Sequence, residues 1–214
     1  LVDAVCELRD ARIPASSRNP DIESLLGGKP RLVILNRVDQ ADPGATALWR
    51  ASLRSEGLPV LETDCRSGRG VAALPGALRG LLSRERRRLE AKGQAGRPLR
   101  AMVVGVPNVG KSSFINRAAG RRAAETSDRP GVTRGKQWIA VGPGIELLDT
   151  PGILWPRFES PEVGLALAWT GAVKDEVLDL EEVAAKLMEK LLALYPGSLR
   201  DRYGLAEAAE SDGY

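Results

Sequence analysis

The chain has 214 residues, 43% hydrophobic and 28% charged, with a net charge of +3. That composition is globular, and no apolar run approaches the roughly 20 residues of a membrane-spanning helix. Two cysteines, Cys6 and Cys65, are too few for a disulfide framework or a four-thiolate zinc site, and the lack of histidine excludes Ser–His and Cys–His hydrolases for this chain.

Val2–Leu8 reads as a strand, so the native N-terminus is expected upstream of Leu1. No basic start followed by an apolar stretch marks a signal peptide, and the thiols suit a reducing cytosol. Pro20–Leu26 predicts a short helix closed by Gly27-Gly28, and RLVIL (Arg31–Leu35) a strand buried on both faces. Thr46–Ser55 predicts a helix, Pro59–Thr63 a strand and Val71–Arg88 a long helix. Strands follow at Arg100–Val104, Gln137–Val141 and Ile145–Leu148, with a helix at Lys111–Ala119 between the first two. This alternation implies βαβ units: an α/β fold, mainly parallel, with helices on both faces. Residues 83–100 hold seven Lys/Arg and two Glu, a net +5, and read as a basic linker. After Pro161 the pattern turns helical. Leu180–Leu194 has one apolar side and stops at Pro196-Gly197, and the residues beyond Leu205 read as a frayed end. The expected domains are therefore 1–173 and a helical segment, 174–214.

Gly105–Ser112 (GVPNVGKS) fits G-x-x-x-x-G-K-[ST] between a strand and a helix, the context a phosphate loop requires. Its glycines let backbone N–H groups, those of Val109 and Gly110 among them, close around phosphate. Lys111 is expected on the β- and γ-phosphates, Ser112 on Mg²⁺ and Ser113 beside it in the cradle. Asp149-Thr-Pro-Gly152 follows the next strand, 38 residues after Lys111; Asp149 can hold Mg²⁺ and the Gly152 amide can face a γ-phosphate. Thr133 lies between them in a Gly/Pro-punctuated loop, where it can join the metal only when γ-phosphate is present. Ile153 stands where many GTPases carry a water-orienting Gln.

Asn36-Arg37-Val38-Asp39 follows the buried strand and has the form of a guanine-reading N-K-x-D element, with Arg37 in place of Lys. Asp39 can accept from guanine N1–H and the 2-amino group, Asn36 can fix the loop, and the Arg37 stem can cover the base. Asp64-Cys65 opens the loop after the next strand, which can offer backbone N–H groups to guanine O6.

The base-reading loops precede the phosphate loop, so the order is that of a circularly permuted GTPase, its old termini joined through the basic linker. With Asp10–Pro14 (DARIP), Ser17–Pro20 (SRNP), Pro130–Thr133 (PGVT) and Asp149–Pro156 (DTPGILWP), the chain closely resembles the circularly permuted ribosome biogenesis GTPases of the RbgA/YlqF type over roughly residues 1–205. The resemblance implies GTP/GDP and Mg²⁺ as ligands and GTP hydrolysis stimulated by the large (50S) ribosomal subunit late in its assembly. It also implies contact with ribosomal RNA, a cytoplasmic setting, and neither membrane nor DNA as partner. It places a catalytic His upstream of Leu1, so turnover by this chain is expected to be weak. Catalytic roles are expected for Lys111, Thr133 and Asn108, the last as a K⁺ ligand standing in for an arginine finger. The alternatives are an ATP-using P-loop enzyme and a nucleotide-gated RNA-binding module with incidental hydrolysis.

Overall fold

All six residues of Arg31–Asn36 are buried. A strand with no exposed face needs cover on both sides, which βαβ packing supplies. A computed structural model describes residues 2–120, 137–152, 154–155 and 157–204. The elements run β1 (Ala4–Asp10), α1 (Ile22–Leu26), β2 (Arg31–Asn36), α2 (Pro43–Ser55) and β3 (Val60–Thr63). Then follow α3 (Leu74–Leu81), α4 (Ser83–Ala91), β4 (Leu99–Val104), α5 (Lys111–Ala119), β5 (Gln137–Gly142) and β6 (Ile145–Asp149). Three helices close the order: α6 (Pro161–Trp169), α7 (Leu180–Leu194) and α8 (Pro196–Tyr203).

The strands form one sheet in the order β3-β2-β1-β4-β6-β5, parallel except for β5, which runs antiparallel to β6. The strand before the phosphate loop, β4, therefore lies between β1 and β6 although it is fourth in the chain. Asp10 pairs with Asn36 and Asn36 with Thr63, so the carboxyl ends of β1, β2 and β3 meet at one edge. In open α/β sheets, ligands bind at that edge.

On one face Val33 and Leu35 pack with Ala11 and with Leu53 of α2, and Val5 packs with Ile22 and Leu26 of α1. Cys6, Leu8, Leu32, Ile34 and Val103 alternate to the other face and are also buried. Each such aliphatic side chain contributes about 1.5–3 kcal/mol by leaving water. The first face also encloses charge. Glu7 accepts from Arg9 at 2.9 and 3.0 Å and from Arg31 at 3.1 Å, and Arg31 reaches Glu23 at 2.6 Å. Buried ions persist only when paired in this way.

Four expectations change in detail. Helix α2 starts three residues before Thr46, because Asp42 caps the Ala45 N–H at 2.8 Å and Pro43 occupies the first turn. The long helix expected over Val71–Arg88 is a 3₁₀ turn (Val71–Ala73), then α3, then α4, broken at Leu82 (φ −98, ψ 17). Gly76 and Gly80 lower the propensity of α3, and the break lets both Leu82 and Leu89 bury. The basic stretch 83–100 is accordingly no open linker: α4 takes its first half, and β4 begins at Leu99. Finally, Pro196 ends α7 and also starts α8, since the first helical turn lacks a partner for its N–H in any case.

Two compact units are distinguished, Leu1–Pro156 and Arg157–Tyr214, a division earlier than the sequence boundary at 173. In the second unit Ser160 caps α6, and Trp169 Nε1 donates to the Val183 carbonyl of α7 at 2.9 Å. That contact ties the small apolar stretch before residue 173 to the helices after it.

Candidate functional site

Strand β4 delivers its chain into Gly105–Gly110, and α5 begins at Lys111. Gly110 lies at φ 98, a left-handed conformation open to glycine, and a Cβ there would meet Asn36 Nδ2 at 2.6 Å. The close approach is used: Asn36 Nδ2 donates to the Val109 carbonyl at 2.9 Å. Asn36 Oδ1 in turn accepts from Thr63 Oγ1 at 3.0 Å and Cys65 Sγ at 3.1 Å. One buried amide thus joins the end of β2, the end of β3 and the phosphate loop.

The following residue, Arg37, also lies in the left-handed region (φ 65) and donates through Nη2 to the Asn108 carbonyl at 2.6 Å. Its Nε is 3.9 Å from Asp10 Oδ2, and Arg12 holds the same carboxylate at 2.6 and 2.9 Å. Asn108 is itself left-handed (φ 55). Val38 and Asp39 form a single 3₁₀ turn in which the Asp39 carboxylate is exposed. The Asp64 carboxylate turns onto its own loop, accepting the N–H groups of Arg66 at 2.7 Å and Ser67 at 3.2 Å and the Ser67 hydroxyl. The Ser67 hydroxyl above all, with these amides, holds Asp64 below its ordinary pKa. Burial, aided by the Asp64 charge, pushes the Cys65 thiol up to about 11, so it stays protonated. Arg117 of α5, which carries no motif signal, braces this loop through the Ser67 carbonyl.

Lys111 Nζ donates to the Gly105 carbonyl at 3.1 Å and the Val106 carbonyl at 2.9 Å, which curls the loop around the ammonium. Burial lowers its pKa to about 8, opposed by Asp149. The Ser112 hydroxyl lies 3.3 Å from Asp149 Oδ2, and Ser113 is exposed on the same turn. Asp149 Oδ1 is buried with no hydrogen-bond partner among the described residues, and burial raises the pKa of this carboxyl. A buried, incompletely satisfied carboxylate beside a serine hydroxyl is an oxygen donor set that suits a hard divalent cation such as Mg²⁺. Gly152 packs so tightly that a Cβ would meet Pro107 Cα at 2.7 Å and Lys111 Nζ at 3.0 Å. The D-T-P-G loop therefore abuts the phosphate loop. Thr133 and Ile153 lie outside the described residues, as do Pro130–Thr133 and residues 205–214. Among the described residues no cluster of three or more His, Cys, Asp or Glu could hold a metal, and no helix is long and apolar enough to cross a membrane.

Residues 100–194 match the family described as 50S ribosome-binding GTPase. The ribosome biogenesis GTPase A of Priestia megaterium is 49% identical over 211 residues, spanning 98% of this chain and 73% of that protein. This chain belongs to the ribosome biogenesis GTPase A family. The mouse mitochondrial ribosome-associated GTPase 1 is 38% identical, over 98% of this chain and 66% of its own length. The crystal structure of GNP-bound YlqF from T. maritima superposes with a TM-score of 0.62 at 27% identity, covering 98% of this chain and 74% of that one. Membership accounts for the six-stranded sheet and for a phosphate loop that falls inside the matched segment.

Proposed function

We propose that this chain binds GTP at the carboxyl edge of the sheet and hydrolyses it late in the assembly of the large ribosomal subunit, stimulated by the particle. As a member of its family the chain is a GTP-hydrolysing enzyme of ribosome assembly. The observation that carries the reading is the Asn36–Val109 contact, which couples a base-reading loop to a phosphate loop 73 residues away. The base-first order of the loops supports circular permutation of an otherwise ordinary GTPase sheet.

In this reading Asp39 pairs with guanine, and Asn36 and Arg37 hold its loop against the phosphate loop. Val38 and Cys65, with Asp64 shaping the loop, line the base. The Val109, Gly110 and Gly152 amides and Ser113 surround the phosphates, and Lys111 transfers its contacts from loop carbonyls to the β- and γ-phosphates. Ser112, Asp149 and Thr133 would hold Mg²⁺, which when bound neutralises charge on the phosphate oxygens. Asn108 is assigned to a K⁺ that supplies a further positive charge beside the transferring phosphoryl. The partner is the large subunit and its ribosomal RNA, the setting the cytoplasm, and α7 and α8 the beginning of a helical domain that joins in the RNA contact.

Competition between GTP and ATP for a fluorescent GDP tests base choice. Displacement by GTP and GDP but not by ATP is expected, and equal displacement by ATP would turn the reading to an ATP-using P-loop enzyme. Faster hydrolysis in K⁺ than in Na⁺, lost on Asn108→Ala, is expected of the cation.

A further inference from the structure

Helix α4 carries four arginines in nine residues, and its charge is laid out by face. Leu82, just before the helix, and Leu89 are seven residues apart and both buried, which sets the inward side. At 100° per residue, Arg84, Arg87 and Arg88 all fall on the opposite side. All three are exposed. Arg88 is paired with Glu85 at 2.9 Å and Arg86 with Glu90 at 2.9 Å. Arg84, Arg87 and, just past the helix end, Lys92 are exposed, and their side chains make no hydrogen bond or ion pair with any described residue. Arg84 and Arg87 stand one turn apart, with Cβ atoms about 5–6 Å from each other.

The position of this face adds to its charge. Beside α4 lies an open hollow of about 310 Å³ lined by Arg79, Arg86, Glu90 and Arg97, together with Leu99 and Ile145. Leu99 and Ile145 are the first residues of β4 and β6, so the hollow opens at the amino edge of the sheet, opposite the candidate nucleotide site. Glu90 and Asp3 neutralise Arg86 and Arg97 there, and Arg79 donates through Nη2 to the Pro143 carbonyl at 3.3 Å. The cations with neither a carboxylate nor a hydrogen-bond acceptor are thus those on the outer face and end of the helix. Two unpaired guanidiniums one turn apart on a solvent-facing helix, with an unpaired ammonium at its end, cost stability through mutual repulsion and give nothing back within this unit.

We propose that the outer face of α4, through Arg84 and Arg87 and with Lys92 just past the helix end, binds the phosphate backbone of RNA. This rests on the reading of a ribosomal particle as partner, and it assigns the contact to the edge away from GTP, so that nucleotide and RNA do not compete for one surface. A phosphodiester chain offers regularly spaced single charges, and a guanidinium meets two phosphate oxygens at once. Recognition by backbone charge alone is independent of base sequence.

The test uses the whole chain and a fluorescein-labelled RNA duplex of about 20 base pairs, long enough to cover a double-strand contact. Anisotropy is followed across a KCl series for the unmodified chain, for Arg84→Ala/Arg87→Ala/Lys92→Ala and for Arg84→Lys/Arg87→Lys. Each phosphate contact contributes about 0.7–0.9 to the slope of log affinity against log salt, so the alanine variant should lose about 2–3 from that slope while the lysine variant keeps it. GDP affinity, read on the same samples, should be the same in all three and reports folding. An unchanged slope in the alanine variant overturns the proposal. So does binding of polyglutamate that the alanine substitutions abolish while RNA binding persists, an outcome that points to an acidic protein instead. Because the readout involves no turnover, failure of large-subunit-stimulated hydrolysis would refute the proposed function and leave this result standing.

Discussion

Asn36→Ala tests how far the two halves of the site depend on one side chain. The substitution removes the donor to Val109 at 2.9 Å and the acceptor that serves Thr63 at 3.0 Å and Cys65 at 3.1 Å. Thr63 is fully buried, so its hydroxyl is left without that partner and out of reach of water. A lost buried hydrogen bond costs about 1 kcal/mol, and an orphaned buried hydroxyl about 1–3 kcal/mol more. The expected destabilisation is therefore about 2–4 kcal/mol. In a chain of this size each kcal/mol moves the melting temperature about 2–4 °C. Urea unfolding followed by circular dichroism measures the first quantity, and titration with fluorescent GDP measures the accompanying loss of affinity. Thr63→Val, which removes a donor but leaves Asn36 bonded to Val109, should cost about 1 kcal/mol and spare GDP binding. A loss below about 1 kcal/mol in Asn36→Ala, with GDP affinity intact, would show that the base loop and phosphate loop are held together by something else.

Three further outcomes follow from the same geometry. Asp39→Asn should weaken GTP about ten- to a hundredfold and shift preference to xanthosine nucleotides, whose 2-oxo group accepts from the new amide; unchanged GTP affinity would remove Asp39 from base reading. Arg37→Ala should raise the Kd for GDP about three- to thirtyfold, because the half-exposed guanidinium holds the Asn108 carbonyl at 2.6 Å, and an unaltered Kd would reduce that contact to decoration. Lys111 titrates near 8 in the free protein, and phosphate raises it, so the charged form is the one that binds. Affinity should be full below pH 8 and fall as pH rises through 8, by up to about tenfold per unit, with calorimetry at pH 8.5 in two buffers showing proton uptake; a flat profile to pH 9.5 would contradict the low free-state value.

The strands were legible because burial on both faces writes continuous apolar runs such as Arg31–Leu35, and the phosphate loop because all its chemistry lies within eight consecutive residues. The helix break at Leu82 was not, since apolar spacing continues across it and only packing decides between one helix and two. The uses of Asn36 and Arg37 were half legible. Their place after a buried strand marks a loop of interest, but their partners Val109 and Asn108 are more than 70 residues away and set by strand order. Arg117 and the Glu7–Arg9–Arg31 network gave no signal at all: a lone Arg in a helix and charges in a strand read as surface until the register buries or aims them. The basic stretch read as a linker because charge conceals helical periodicity when only Leu82 and Leu89 mark the inner side.

In the function proposed above, the loops gathered at the carboxyl edge make a GTPase that answers to the large ribosomal subunit. Single-turnover hydrolysis of GTP labelled at the γ-phosphate, followed with increasing amounts of purified large subunits, tests it most directly. A slow rate for the chain alone is expected, with a rise that saturates with large subunits, no such rise with small subunits, and no turnover of ATP. A rate that is the same with and without large subunits would contradict it.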